Sequence, residues 1–199
     1  MLSIFVFYLY IVKRIAIFAS GTGSNAEILI KHFEFHRDAQ VTLLVSNRAE
    51  AGAVQIARWH GIETMIIDKE NFFSENSIVK ELKERGIDLI VLAGFLWLIP
   101  SAIIDAFPDR IVNIHPALLP KFGGKGMYGK KVHEAVLLSG EKETGITIHF
   151  VNENFDEGKS IAQFKCPVFE NDTAEKIAAR VQELEHKHFA GVVEKLVIR

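Results

Sequence analysis

The stretch Arg14-Ile-Ala-Ile-Phe-Ala-Ser-Gly-Thr-Gly-Ser-Asn-Ala-Glu-Ile-Leu-Ile-Lys-His-Phe33 decides the fold. After Arg14 the next five residues are apolar on both alternating faces, which reads as a buried strand over Arg14–Ala19. The glycine-rich Ser20–Asn25 follows at once, and Ala26–Phe33 then repeats apolar residues at helical spacing. A strand that feeds a helix through glycines is the opening of a β-α-β unit.

The same alternation continues outward. Val41–Val45 reads as a strand, Ala53–His60 as a helix stopped at Gly61, and Thr64–Ile67 as a third strand. Ser77–Arg85 is a charged helix closed by Gly86, and Asp88–Ala93 is a strand with no polar face. Ser101–Phe107 is a short helix and Arg110–Ile114 a fifth strand. Beyond a glycine-rich loop over Gly123–Gly129, Val132–Ser139 is helical. Gly145–Val151 and Ile161–Val168 read as two strands joined by a polar turn, and a long helix runs from Thr173 to about Leu196, capped within Asn171–Thr173. Together these predict an α/β, Rossmann-like domain. Its sheet is mostly parallel, with helices on both faces and an antiparallel C-terminal strand pair.

With 199 residues the chain is expected to form one domain over 13–199, preceded by an apolar extension over 1–12. That extension lacks the basic flank of a signal peptide and is shorter than the ~20 residues that span a bilayer. No membrane role is expected. There are 23 basic against 25 acidic residues, a net charge of −2, which argues against a nucleic-acid partner. The single Cys166 excludes a disulfide framework and a cysteine-rich metal site, and a reducing compartment such as the cytoplasm is expected.

Two segments carry chemistry. Thr22, Gly23, Ser24 and Asn25 stand where a strand meets a helix N-terminus, a place where free N–H groups and the helix dipole favour a phosphate. A dinucleotide would call for an acidic residue about 20 positions on. Ser46 and Asn47 stand there, so a single phosphate fits better. A tight glycine turn with no ligand is the plain alternative. The second segment is Asn113-Ile114-His115-Pro116, at the C-terminal end of the fifth strand. Period-2 alternation puts Asn113 and His115 on one side. An amide suits an oxyanion, and an imidazole can give or take a proton near neutral pH. Such a histidine needs an acid to orient it. Asp156, in the polar turn Phe155-Asp156-Glu157-Gly158, is the candidate, provided the fold brings it near.

These residues resemble the phosphoribosylglycinamide formyltransferases, the folate-dependent enzymes of purine synthesis. The resemblance runs from about residue 13 to the C-terminus. It rests on Phe18–Asn25, Val91–Phe95, Asn113–Lys121, Gly145–Val151 with Asp156–Gly158, and Arg180–His186. It implies transfer of a formyl group from 10-formyltetrahydrofolate to the amine of glycinamide ribonucleotide, with no metal. In those roles Asn113 would donate to the tetrahedral oxyanion, His115 would act as general acid, and Asp156 would stabilise the imidazolium. Thr22, Gly23, Ser24 and Asn25 would hold the ribotide phosphate, with Gln182 and Glu185 nearby on the last helix. Leu96, Trp97, Leu98 and Ile99, together with Asn113, would line the folate site. Many members carry Arg where Trp97 stands. Glu157-Gly158 replaces a common Gly-Pro after Asp156, and the Gly123–Gly129 loop reads as a lid. His149 matches a family histidine near the folate, whereas His133 reads as a packing or surface residue. A monomer or homodimer is expected. Formyl-folate hydrolysis and a non-catalytic phosphate-binding module are the alternatives.

Overall fold

The computed structural model describes residues 11–74 and 77–198. Most of the predicted apolar extension, residues 1–10, lies outside the described residues. The elements are β1 (Lys13–Phe18), α1 (Ser24–Phe33), β2 (Ala39–Ser46), α2 (Gly52–Trp59), β3 (Glu63–Ile66), α3 (Lys69–Phe73) and α4 (Ser77–Glu84). They continue with β4 (Leu89–Leu92), α5 (Ser101–Ala106), β5 (Ile111–His115), α6 (Lys130–Ser139), β6 (Glu143–Phe150), β7 (Ser160–Pro167) and α7 (Ala174–Val197). All seven strands form one sheet in the order β3-β2-β1-β4-β5-β6-β7. The first five pair in parallel. β6 runs antiparallel to both β5 and β7, so the expected mixed sheet is what forms.

Alternation along each strand divides the core in two. Ile15 and Ile17 of β1, Leu44 of β2 and Val91 of β4 face one side, where they pack with Leu29, Val54, Val136 and Phe189 of the helices. Ala16 and Phe18, Leu43 and Val45, and Ile90 and Leu92 face the other side, against Phe72, Leu82 and Ile103. A sheet buried on both faces explains the near-continuous apolar strands.

One helix escaped the sequence reading. α3 is only one turn long, too short for a periodic signal. Asp68 nucleates it: one carboxylate oxygen accepts from the Asn71 amide at 2.8 Å and the other from the Asn71 side chain at 2.7 Å. At the other end of the chain, Thr173 caps α7 by accepting from the Lys176 amide. Asp172 beside it accepts from Arg180 at 2.8 Å, which holds its carboxyl at about 2.

The strand order places the site. The chain leaves β1 toward β2 and β3, then returns to lay β4 on β1's other edge. The loops after β1 and β4 therefore diverge and leave a crevice at the carboxyl edge of the sheet. Two bonds tie those loops together: the Ser20 amide donates to the Gly94 carbonyl at 3.1 Å, and the Leu96 amide to Ser20 Oγ at 3.1 Å.

The antiparallel half adds its own pin. Thr147, fully buried on β6, donates to the Ala117 carbonyl at 2.7 Å. It accepts from the Leu119 amide and from Gln163 Nε2, each at 2.9 Å. This fixes the turn that follows His115, in which the Leu119-Pro120 peptide is cis. Thr147→Val keeps the shape and strands these partners. We expect it to destabilise the domain by roughly 2–4 kcal/mol, read as a shift of the urea midpoint; an unchanged midpoint would remove this pin from the account.

Candidate active site

A single large cavity of about 1030 Å³ opens at the carboxyl edge of β1, β4 and β5. Its walls include every residue singled out from the sequence for a site: Thr22–Asn25, Leu96–Ile99, Asn113, His115, Asp156, Gln182 and Glu185. Five stretches of chain far apart in sequence thus converge on one space.

Asp156 is the meeting point. Its Oδ2 lies 3.4 Å from His115 Nδ1 and accepts from the Gly124 amide at 2.9 Å. Its Oδ1 accepts from Asn113 Nδ2 at 3.4 Å and lies 3.6 Å from His149 Nε2. The turn that carries it is tight. Asp156 is left-handed at φ 60°, a conformation that Asp tolerates better than most residues. Two residues on, a Cβ at Gly158 would be driven into the Phe150 carbonyl oxygen. Glu157-Gly158 therefore closes this turn although it departs from the pattern expected of the resembled family.

His149 was the half-read residue. It is 2% exposed, and its Nδ1 donates to the Phe150 carbonyl at 2.7 Å. That fixes the neutral ring's lone pair on Nε2, which accepts from Asn113 Nδ2 at 3.1 Å. So both hydrogens of the Asn113 amide are engaged, one firmly by His149 and one loosely by Asp156. His115 is 3% exposed, and its Nε2 donates to the Phe122 carbonyl at 2.7 Å.

Burial pushes the Asp156 carboxyl up. The hydrogen bond and charge of His115 and the Gly124 amide outweigh that and hold it well below the usual carboxylate range.

The glycine loop builds the polar end. Gly23 is the N-cap of α1, left-handed at φ 89°, and a Cβ there would collide with the Ala53 backbone at the start of α2. Only glycine meets both demands. α1 and α7 are bridged across this end: Asn25 Nδ2 donates to Glu185 Oε2 at 2.8 Å, and Gln182 Nε2 to Ser24 Oγ at 3.3 Å. Burial pushes the Glu185 carboxyl up, against opposing pulls from Asn25 and His115. Asn25 Oδ1 is buried with no hydrogen-bond partner.

The sequence reads His133 as a packing or surface residue. It lies 6% exposed on α6 and lines the cavity; its Nδ1 is buried without a partner, and burial, then His115, pushes the ring's pKa down. A lone histidine at the start of a helix gave no signal of this. Among the described residues no group of three or more His, Cys, Asp or Glu side chains is arranged to hold a metal ion.

The formyl transferase family model matches residues 13–193. The chain is 45% identical over 187 residues to the phosphoribosylglycinamide formyltransferase, chloroplastic, of Arabidopsis thaliana, covering 91% of this chain but 64% of that protein, under two thirds of its length. It is 35% identical over 190 residues to the phosphoribosylglycinamide formyltransferase of Bacillus subtilis, covering 93% of this chain and 95% of that one. Among solved structures, the Brucella melitensis phosphoribosylglycinamide formyltransferase superposes with a TM-score of 0.84 at 36% identity, covering 95% and 97% of the two chains.

The depressed Asp156 carboxyl makes a prediction. A carboxyl that ionises more readily folded than unfolded adds stability above its ordinary pKa of about 4, and that contribution drains away as the pH falls below it. Asp156→Asn should be less stable than wild type near neutrality and lose less on acidification from about pH 5 to 3. Thermal melts across that range check it, and parallel curves for the two proteins would contradict it.

Proposed function

Because the chain belongs to the formyl transferase family, we propose that it transfers a formyl group from 10-formyltetrahydrofolate to the amine of 5'-phosphoribosylglycinamide. The observation that carries this reading is the meeting of Asn113, His115 and Asp156 in one cavity, between a phosphate-type helix N-terminus and an apolar shelf.

In this reading the ribotide phosphate sits on the N-terminus of α1, at Thr22, Gly23, Ser24 and Asn25, where free amides and the helix dipole favour an anion. Gln182 and Glu185 reach the same space from α7 and serve the sugar hydroxyls. The folate lies along Leu96, Trp97, Leu98 and Ile99. The glycinamide amine attacks the formyl carbon, and the carbonyl oxygen takes the electron pair. Asn113 stabilises that oxygen by exchanging its long 3.4 Å contact with Asp156 for a bond to the oxyanion. Collapse of the intermediate expels the folate nitrogen, which needs a proton. His115, held as the imidazolium by Asp156, supplies it once Nε2 leaves the Phe122 carbonyl, and the proton that the attacking ammonium gives up returns to the ring. The segment from Phe122 to Gly129 then acts as a lid over bound substrates. The chemistry asks for no metal.

The same reading carries a cytoplasmic place of action and a monomer or homodimer working on small molecules, without nucleic acid or membrane. No helix among the described residues is long and apolar enough to cross a membrane. Residues 13–199 would form the working domain.

A turnover assay with both substrates tests this. Tetrahydrofolate release should require the ribotide, vanish in His115→Ala, and fall ~10²–10³-fold in Asn113→Ala, the usual cost of one oxyanion donor. Release without the ribotide would instead identify a hydrolase. Ribotide binding with no release would leave only a binding module.

A second variant addresses the polar end. Since burial disfavours the Glu185 carboxylate, Glu185→Gln should fold at least as stably as wild type at neutral pH, yet raise the KM for the ribotide about tenfold, the price of one lost charged hydrogen bond. An unchanged KM would take Glu185 out of the ribotide site.

A further inference from the structure

The cleft has a second end, built differently from the first. Past Ile99 it adjoins a pocket of about 340 Å³ lined by Phe73, Leu98, Ile99, Pro100, Ser101 and Glu153. Aromatic rings crowd this mouth. The Trp97 ring lies 5.5 Å from Phe72, 5.9 Å from Phe73 and 6.1 Å from Phe95. Phe72 is buried, and Phe95 meets the buried Phe18 edge-on at 5.4 Å, so both are anchored in the core. Phe73 is not: it remains 52% exposed, and Trp97 is half-buried.

Exposed apolar side chains scattered singly need no explanation. These two are not scattered. They touch each other, they are braced from behind by buried rings, and each lines one of two adjoining cavities. Braced rings with open surface form a ready platform for a flat ligand, because little conformational freedom is lost on stacking.

Charge is the other half of the argument. Among the described residues no Lys or Arg lines this pocket, and the one ionisable lining residue is Glu153. The lysines of the main cavity, Lys125 and Lys130, belong to the segment entering α6, and Lys130 is already held by Glu175 at 2.8 Å. Lys69 is one helical turn before Phe73 but lines neither cavity.

We propose that Phe73 and Trp97 determine donor specificity: they receive the aryl segment of the folate by stacking, and the mouth gives no advantage to the anionic glutamyl tail that leaves it. This deepens the transfer reaction proposed above and rests on it. Among the described residues an extended tail of carboxylates meets Glu153 and no cation at this mouth, so lengthening it gains nothing here.

The test compares mono- and pentaglutamyl 10-formyltetrahydrofolate at low and high salt, in wild type, Phe73→Ala, Trp97→Leu, Trp97→Arg and Lys69→Ala. Folding is confirmed by melts. In wild type the two donors should have KM values within about twofold, insensitive to salt, since screening weakens only ion pairs. Phe73→Ala and Trp97→Leu should raise the donor KM about tenfold, with the ribotide KM unmoved. Trp97→Arg should create a preference for the pentaglutamyl donor that salt abolishes. Lys69→Ala should behave as wild type. A wild-type preference for the longer donor that salt or Lys69→Ala removes would overturn the proposal. So would an unchanged donor KM in both aromatic variants. Titration calorimetry of the monoglutamyl donor separates the two levels: a folded wild type that binds donor without turnover fails the transfer reading, whereas equal affinity in Phe73→Ala fails this one.

Discussion

A carboxylate buried behind two imidazoles is the constraint on which the site turns. Left alone, the Asp156 charge would be costly to bury. It is tolerated because three donors converge on it, His115 and Asn113 at the end of β5 and the Gly124 amide from the loop before α6, with the His149 ring of β6 lying 3.6 Å away. Each of those contacts demands something of the fold. β5 and β6 must run antiparallel, so that Asn113 lies opposite His149 in register. The turn after β6 must close left-handed at Asp156, with glycine at 158 passing against the Phe150 carbonyl. The antiparallel half of the sheet is the device that carries an acid from one part of the sequence to a histidine in another.

The parallel half does a different job. By reversing direction between β1 and β4, it opens a crevice and lines it with two loops of opposite character. The β1 loop ends in a helix N-terminus with Ser24 and Asn25 tied to α7. The β4 loop presents Leu96–Ile99 beside a cluster of rings. Ser20 bonds the first loop to the second through its amide and its hydroxyl. A shift of the polar end therefore drags the apolar end with it, and the reacting groups of β5 sit between.

Much of this was legible in the residues. Buried strands announce themselves by unbroken apolar runs, so β1, β2, β4 and β5 and the mixed sheet followed from periodicity. So did the placing of Asn113 and His115 on one side of a strand end. What stayed hidden depends on contacts between distant segments. Asp156 could be suspected as an acid but not joined to His115, because a distance across two strands has no local signal. Thr147 lies within a run that reads simply as a strand, and its three hydrogen bonds go to segments distant in sequence. His133 reads as a packing or surface residue, and its place on the cavity wall is visible only in the fold. α3 was missed because a single turn nucleated by Asp68 has no periodicity, and with it went Phe73, whose meaning lies only in its neighbour Trp97.

His115 stands between two acceptors. Nε2 faces a carbonyl and Nδ1 faces a carboxylate, both acceptors with nothing to donate. Only a ring with hydrogen on both nitrogens satisfies the two at once. Asn113 is likewise committed on both its hydrogens, to His149 and Asp156. Donor and acid are thus arranged in advance, each spending its bonds inside the protein on partners that a substrate oxygen or nitrogen could replace. Phe122, which supplies the carbonyl, is itself held left-handed at φ 57°, a conformation that costs a bulky residue of order 1–3 kcal/mol. The contact that engages His115 Nε2 is therefore made from a strained residue, whereas the Asp156 contact is made from a turn whose left-handed residue tolerates that conformation. Of the two partners, the carbonyl is the one the fold can release.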